Sequence, residues 1–182
     1  QYNADCVNFS NNTTQNTGGH NAFLIHGDTC ASALAQGNTI IGPWNHNGFD
    51  IKEANGLLAT QNTAYCPSGV GTCVGEAFNY QFTQVSPNSV TFSKNLAYGP
   101  ISGGGLICSW GGTFDGPTCT SGHCNGTCKI YNNTLMNTVG TSFGTDAVAA
   151  TLGTETTTID FRNNITNIRA EYAAAANGAN TI

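Results

Sequence analysis

The sequence predicts an all-β fold, a β-solenoid (β-helix) with one or two short helices packed alongside and with stabilising disulfide bonds. Three observations support this prediction: short strand-like runs recur between Gly- and Asn-rich turns, a strand-plus-Asn motif is repeated, and eight cysteines are present. A β-sandwich is the alternative, because short strands separated by turns suit that architecture as well.

The repeated motif is a short strand that ends in Asn. Residues 7–12 (VNFSNN) resemble residues 90–95 (VTFSKN) and 159–164 (IDFRNN), and residues 130–133 (IYNN) form a shortened copy. Each coil of a solenoid needs an apolar strand residue and a corner residue that tolerates the left-handed backbone region. The spacings between copies are irregular, so an alternative is that Asn is abundant and collects at strand ends.

The first strands are predicted from side-chain alternation. Residues 7–9 suit an edge strand. Residues 20–26 alternate with a period of two, and Phe23 and Ile25 form the face that is the better candidate for the core.

A helix is predicted over residues 29–36, where Asp28 is a plausible N-cap and Gly37 ends the run of helix-tolerant residues. Residues 39–41 then read as a buried strand, and residues 49–58 begin extended.

The second half is predicted to be strands and loops. Residues 66–73 form a Gly/Pro loop that suits a local disulfide, and residues 76–97 read as a hairpin. Further strands are expected in residues 101–110, at residues 130–131 and in residues 156–168. Short helices are expected at residues 144–152 and 169–176.

Composition limits the classes of partner. The chain has 182 residues, enough for one domain, and a net charge of −5 with five Lys and Arg in total. A basic patch is therefore excluded, which argues against nucleic acid and anionic membranes as partners. No run approaches transmembrane length, so we expect no direct membrane insertion. We also expect a monomer and no cofactor.

Cysteine content and glycosylation motifs indicate a secreted or cell-surface protein. An even number of cysteines favours disulfides, although eight cysteines allow 105 pairings. We expect a single secreted domain over residues 1–182, as the N-terminal part of a longer surface protein. The predicted disulfide cysteines are Cys6, Cys30, Cys66, Cys73, Cys108, Cys119, Cys124 and Cys128. The glycosylation candidates are Asn8, Asn11, Asn12, Asn125, Asn132 and Asn164.

No complete catalytic or metal motif is present. Ser142 lies in a G-x-S-x-G match, but a serine hydrolase needs a later His, and the last His is His123. Cys119, Cys124 and Cys128 with His123 could be read as zinc ligands, but disulfides are favoured in an oxidising compartment. We therefore predict neither catalytic nor metal-binding residues.

Candidate ligand-binding residues are aromatic and polar side chains in Gly-rich surroundings. Tryptophans can stack on sugars, although burial in the core is an equal alternative. The candidates are Trp44, His46, Asp50 and Trp110. A flat Thr-rich solenoid face could bind ice, but no regular T-x-T ladder is visible in the sequence.

Residues 18–56 resemble the start of the choice-of-anchor A domain, an adhesive domain of cell-surface proteins. The resemblance rests on Asn21-x-Phe23-x4-Asp28, then Gly37 and Gly42 separated by four mostly apolar residues, then a strand at residues 49–52. Pro43 stands where family members usually carry a second Gly, and the spacer contains Cys30. The resemblance implies a solenoid-like domain displayed outside the cell, and adhesion without catalysis.

The expected function is therefore that of a non-enzymatic, adhesin-like extracellular domain that binds a surface glycan or protein. The first alternative is a carbohydrate-active hydrolase or lyase, which needs a pair of carboxylates; its candidates are Asp28, Asp50, Glu53, Glu76 and Asp115. The second alternative is a secreted disulfide-rich effector or toxin.

Overall fold

The polypeptide winds into coils that stack in parallel register. The computed structural model describes residues 2–3, 8–15, 21–26, 34–52, 56–71, 73–82, 88–102, 104–110, 126–138, 146–151, 157–166 and 180–181. The coils comprise, in order, β1 (Tyr2–Asn3), β2 (Asn8–Ser10) and β3 (Thr13–Gln15); β4 (Asn21–His26), β5 (Leu34–Gln36) and β6 (Thr39–Ile41); β7 (Asn47–Lys52), β8 (Leu57–Thr60) and β9 (Thr63–Tyr65); β10 (Glu76–Phe82), β11 (Asn88–Ser93) and β12 (Leu96–Gly99); β13 (Gly104–Trp110), β14 (Gly126–Tyr131) and β15 (Thr134–Asn137); β16 (Asp146–Thr151), β17 (Thr157–Arg162) and β18 (Ile165–Thr166); and finally β19 (Asn180–Thr181).

Each complete coil contributes one strand to each of three parallel sheets. Sheet 1 has the order β1-β4-β7-β10-β13-β16, sheet 2 the order β19-β17-β14-β11-β8-β5-β2, and sheet 3 the order β18-β15-β12-β9-β6-β3. Strand neighbours are therefore one coil apart in the chain, as a solenoid requires. The predicted all-β, solenoid-like fold is confirmed, whereas a sandwich would pair its strands mainly antiparallel.

The core lies between the three sheets and is built from stacked equivalent positions. In sheet 2 the inward residue Phe9 pairs in register with Ala35. The same inward position is filled by Ala59, Phe92 and Ile130 in the coils that follow. The corresponding inward position of sheet 3 is filled by Ile40, Ala64, Ala97 and Leu135, all at most 1% exposed. Because every second strand residue points inward, short strands suffice to fill this interior.

An aromatic column runs through the core across the first four coils. The ring centroids of Phe23 and Phe49 are 5.2 Å apart, and those of Phe49 and Phe78 are 5.0 Å apart in a stacked arrangement. Phe9 and Phe92 contact the two ends of this column edge-on. The prediction that Phe23 and Ile25 face the core is confirmed, since Ile25 is buried and Phe23 packs against the core cluster.

The corner between sheets 2 and 3 has the same construction in each of the six coils in which the structure describes it. It consists of one residue with positive φ followed by an Asn. Five of the positive-φ residues are not Gly, with φ between 55° and 58°: Asn11, Gln61, Lys94, Asn132 and Asn163. Gly37 occupies the same place with φ 64°. Asn tolerates this region better than most residues, which explains its frequency here.

The Asn residues that follow are stacked into a hydrogen-bonded column, here called the Asn ladder. Its members are Asn12, Asn38, Asn62, Asn95, Asn133 and Asn164. At each step the backbone N–H and the Nδ2 of one Asn both donate to the Oδ1 of the next, at 2.8 to 3.1 Å. From Asn38 onward, Nδ2 also donates to a main-chain oxygen in the preceding coil.

The repeated motif of the sequence therefore marks solenoid corners. Its copies ending at Asn12, Asn95, Asn133 and Asn164 all end on a ladder Asn. Two corners were missed, because the Gly37-Asn38 and Gln61-Asn62 corners follow an Ala at the inward position instead of an aromatic or large aliphatic residue. Successive ladder residues are 24 to 38 positions apart, so long insertions between strands hide the period.

The predicted helices are not found among the described residues. Leu34–Gln36, the end of the predicted helix 29–36, is strand β5, and Asp146–Thr151, within the predicted helix 144–152, is strand β16. Their neighbours in adjacent coils pair with them, and this tertiary pairing overrides local helix propensity. The helix predicted at residues 169–176 lies outside the described residues, as does the Asp28 cap.

The predicted hairpin over residues 76–97 is wrong. β10 pairs in parallel with β7 and β13, whereas β11 pairs in parallel with β8 and β14 in a different sheet. Alternation with a turn looks the same in a hairpin and at a solenoid corner, so the local pattern could not distinguish the two.

The predicted local disulfide is present. Cys66 and Cys73 are bonded, with a Cα–Cα distance of 6.0 Å, and both residues are buried. Cys128 is also disulfide-bonded. Cys108 lies in β13. Cys6, Cys30, Cys119 and Cys124 lie outside the described residues.

Candidate functional site

The outer surface of sheet 3, here called the sheet 3 face, presents two parallel ranks of side chains. The first rank follows each ladder Asn by one position, and the second follows it by three. The first rank is Thr13, Thr39, Thr63, Leu96, Thr134 and Ile165. The second rank is Gln15, Ile41, Tyr65, Tyr98 and Met136.

The sheet 3 face carries no charged side chain in any of its six strands. The neighbouring outer surface of sheet 2 differs, since it carries Lys129, Asp160 and Arg162, with Arg162 Nε donating to Asp160 at 2.5 Å. A surface without charge gives no electrostatic steering toward a charged polymer. The sheet 3 face is therefore suited to an uncharged ligand.

Two tyrosines lie at the centre of the sheet 3 face. Tyr65 and Tyr98 occupy equivalent positions in adjacent coils, with ring centroids 5.9 Å apart and planes inclined by 21°. Both rings remain accessible, Tyr65 at 36% and Tyr98 at 46% exposure, and Leu96 beside them is 38% exposed. Exposed aromatic rings flanked by hydroxyl groups provide both an apolar contact surface and hydrogen-bonding partners.

A second polar feature is buried in sheet 1 and centres on Asp50. Strand alternation places Asp50 on the opposite side of the sheet from its neighbours Phe49 and Ile51, yet its side chain is fully buried. Asn21 Nδ2 donates to one carboxylate oxygen at 2.7 Å, and Asn79 Nδ2 donates to the other at 2.6 Å. A buried carboxylate needs such partners, and here they come from the two adjacent coils.

His46 and Glu76 border this buried cluster. His46 Nδ1 lies 3.1 Å from Asn21 Oδ1 and 3.0 Å from Asn47 Nδ2, and the tautomer decides which contact is a hydrogen bond. Asn47 Oδ1 accepts from the backbone N–H of Glu76 at 3.2 Å. Burial raises the pKa of the Glu76 carboxyl, and the nearby Asp50 raises it further, against the lowering effect of a backbone hydrogen bond.

Three of the four predicted ligand-binding residues lie close together in the chain. Asp50 is in β7 of the third coil, and Trp44 and His46 are in the segment that leads into this strand. Trp44 is fully buried, and its Nε1 has no hydrogen-bond partner among the described residues. Its ring lies 3.4 Å from the position that a Cβ of Gly48 would take. An indole without exposed surface is a packing element. His46 is half-buried and Asp50 fully buried, whereas Trp110 ends strand β13 in sheet 1.

The carboxylates considered for a hydrolase are distributed differently. Asp28, Glu53 and Asp115 lie outside the described residues. Glu76 begins β10 next to the Asp50 cluster, whereas Asp50 pairs in register with Asn79 and is fully buried. In the part of the chain that the structure describes, no group of three or more His, Cys, Asp or Glu is placed to hold a metal ion.

Tyr65 and Tyr98 were not identified from the sequence. The available signal was their shared position, three residues after Asn62 and Asn95. That signal becomes visible only after the sequence is aligned on the ladder Asn residues. The same alignment reveals the threonines of the first rank, which follow one another across coils and not along a strand as in a T-x-T motif.

No family model, curated protein or solved structure matches this chain. The resemblance of residues 18–56 to the choice-of-anchor A domain therefore stays a prediction. Among the described residues, no helix is long and apolar enough to span a membrane.

Proposed function

We propose that this protein is a non-enzymatic, adhesin-like extracellular domain that binds a neutral glycan on a cell-wall or host surface through the sheet 3 face. The observation that carries the proposal is the exposed Tyr65–Tyr98 stack on a sheet face without charge. The disulfide between Cys66 and Cys73 and the resemblance to an adhesive domain support an extracellular setting.

A neutral glycan matches the chemistry of this face better than a charged polymer. Pyranose rings have apolar C–H surfaces that pack on aromatic side chains, and Tyr65 and Tyr98 supply such rings. Sugar hydroxyls can exchange hydrogen bonds with threonine hydroxyls, which both donate and accept. An acidic or basic polysaccharide would lose hydration at its charges without gaining a counter-charge in sheet 3.

The geometry of sheet 1 does not favour the hydrolase alternative. Glycoside hydrolysis uses two carboxyl groups on either side of the bond that is cleaved. Asp50 has no exposed surface, so its carboxylate cannot contact a polysaccharide on the surface of the protein. Asp50 instead accepts hydrogen bonds from Asn21 and Asn79, which is consistent with a structural role.

A binding assay on insoluble polysaccharides tests the proposal. The panel contains cellulose, chitin, mannan and β-1,3-glucan, and depletion of the protein from solution is measured. We expect Tyr65→Ala and Tyr98→Ala each to weaken binding by about 3- to 10-fold, the equivalent of about 0.5–1.5 kcal/mol per lost aromatic contact. Leu58→Ala is the matched control, because Leu58 is equally exposed at 38% but lies on sheet 2.

Three results would contradict the proposal. One is the absence of binding to any member of the panel, and another is equal binding by the tyrosine variants and the wild type. The third is release of reducing ends from a bound polysaccharide, which would indicate a hydrolase. Circular dichroism and thermal unfolding of each variant separate loss of binding from loss of fold.

A further inference from the structure

We infer, on the basis of the proposed function, that the glycan lies along the solenoid axis, across the strands of sheet 3, with about one sugar per coil. The ligand is then a linear neutral polymer and not a terminal sugar or a branched cap. Four observations support this orientation: the direction of the ranks, their spacing, their length and the rigidity of the adjacent corner.

The direction comes from the strand register. Ile41 pairs with Tyr65, and Tyr65 pairs with Tyr98, which in turn pairs with Met136. Like side chains therefore follow one another from coil to coil, perpendicular to the strands. Within a single strand the outward positions change from Thr63 to Tyr65. A ligand lying along a strand would meet a hydroxyl and one aromatic ring, whereas a ligand across the strands meets a rank that is apolar from Ile41 to Met136.

The spacing suits a polymer with a short repeat. Neighbouring strands in a sheet are separated by about 4.8 Å, so equivalent side chains recur at that interval. This interval is close to the length of one pyranose unit in an extended chain. The ring centroids of Tyr65 and Tyr98 are 5.9 Å apart, so each ring can contact a different sugar.

The length of the ranks sets the size of the ligand. The second rank spans five strands, β3, β6, β9, β12 and β15, and the first rank spans all six strands of sheet 3. At about one sugar per strand, binding should improve with chain length and reach a plateau at about five or six sugars.

The Asn ladder makes this surface rigid. Each first-rank residue directly follows a ladder Asn; Thr63, for example, follows Asn62, whose side chain is fixed by Asn38 and Asn95. The N–H of Thr63 also donates to the backbone oxygen of Asn38 at 2.8 Å. A surface whose spacing is fixed before binding loses little conformational entropy on binding.

A chain-length series tests the orientation. Calorimetric titration uses linear oligosaccharides of two to eight sugars, cut from whichever polysaccharide of the panel binds. We expect the Kd to fall by about tenfold or more between the disaccharide and the hexasaccharide, and to change little beyond. Met136→Ala should weaken hexasaccharide binding by about 3-fold or more. It should leave trisaccharide binding nearly unchanged, because three sugars can be held by Tyr65, Tyr98 and Ile41.

The outcomes separate this inference from the proposed function. Equal affinity for the disaccharide and the hexasaccharide would overturn the orientation while leaving glycan binding intact. An equal effect of Met136→Ala on trisaccharide and hexasaccharide binding would do the same. Absence of binding by every polysaccharide and oligosaccharide would overturn both. Leu58→Ala again serves as the control and should behave as wild type at every chain length.

Discussion

The Oδ1 of Asn95 accepts two hydrogen bonds from Asn62, one from its backbone N–H at 2.9 Å and one from its Nδ2 at 3.1 Å. Asn95 then repeats the arrangement toward Asn133. Both side chains are buried, so these bonds replace water at the corner of the solenoid. The relationship joins coils that are 33 residues apart in the chain, and it holds every corner to the same geometry.

Replacement of a central ladder residue should therefore strongly destabilise the fold. In Asn95→Ala, the backbone N–H and Nδ2 of Asn62 and the carbonyl of Ala59 all lose the hydrogen bond that they make with the Asn95 side chain. Because an unsatisfied buried polar group costs about 1–3 kcal/mol, we expect a loss of about 3 kcal/mol in the free energy of unfolding. Denaturant unfolding monitored by circular dichroism measures this loss.

The matched control for this substitution is Asn8→Ala. Asn8 is exposed on β2 and lies outside the ladder, so its replacement should change stability by less than about 0.5 kcal/mol. Similar losses for both variants would show that the ladder contributes no special stability.

The positive-φ corner residues give a second prediction. Gln61 has φ 57° and precedes Asn62. A β-branched side chain is poorly tolerated in this region, so Gln61→Val should destabilise by about 1–2 kcal/mol. Gln61→Asn should be neutral or slightly stabilising, because Asn visits this region readily.

Thr60→Val is the control for the corner substitution. Thr60 lies one position earlier in the regular strand β8, where a β-branched residue suits the backbone, and its replacement removes the hydrogen bond that Thr60 Oγ1 accepts from Ser93 Oγ. Thermal unfolding should rank Gln61→Val well below both Thr60→Val and Gln61→Asn. Equal melting temperatures would contradict the strain argument.

The Asn-terminated strands and the resemblance of residues 18–56 together favoured a solenoid, but neither revealed the complete set of coils. Three copies of the motif can be recognised in the sequence because each has an aromatic residue before the corner: Phe9, Phe92 and Phe161. Ala35 and Ala59 fill the same inward position with a methyl group, so their corners did not resemble the others. This position reads Phe, Ala, Ala, Phe, Ile and Phe from coil to coil, so small and large side chains together fill the interior.

The helices and the hairpin were mispredicted for a related reason. Leu34–Gln36 and Asp146–Thr151 have compositions that a helix tolerates, and only pairing with neighbouring coils makes them strands. The residues of the candidate site also depend on contacts between coils, which the local sequence does not show. Trp44, His46 and Asp50 are chemically distinctive in the sequence, but the sequence does not show that Trp44 and Asp50 are buried. Tyr65 and Tyr98 become neighbours only through the strand register, which pairs residues from distant parts of the chain.

The ladder also predicts which glycosylation motifs can carry a glycan in the folded protein. The Nδ2 atom is the point of attachment. In Asn164 it donates to Ile130 and Arg162, and in Asn12 it donates to Asn38. We expect expression in a eukaryotic secretory host to give no occupancy at these two positions. Asn8, Asn11 and Asn132 are exposed and lie outside the ladder, so any glycan on the described residues should be found there.

Mass spectrometry of glycopeptides from the secreted protein measures this distribution. Asn132→Gln should remove a glycan without loss of secretion, whereas Asn164→Gln should lower the secreted yield because it breaks the last step of the ladder. Asn125 lies outside the described residues and is scored separately. A folded protein with a glycan on Asn12 or Asn164 would contradict the prediction.

The raised pKa of Glu76 predicts how stability depends on pH. Burial is the main cause, so the folded protein retains the Glu76 proton at pH values where the unfolded chain, with its ordinary pKa of 4.5, has lost it. The folded state binds more protons in this window, and stability therefore falls as pH rises through it. Glu76→Gln carries no charge at any pH, so its stability relative to the wild type should rise as the pH increases above the ordinary Glu pKa of 4.5. Denaturant unfolding at several pH values measures the difference, and Asp160→Asn supplies a contrast of opposite sign. A hydrogen bond from the Tyr131 hydroxyl lowers the pKa of Asp160, with Arg162 adding to the effect, so its stabilising contribution is present at neutral pH and is lost on acidification. A constant difference between Glu76→Gln and the wild type across this range would show that Glu76 titrates alike in the folded and unfolded states.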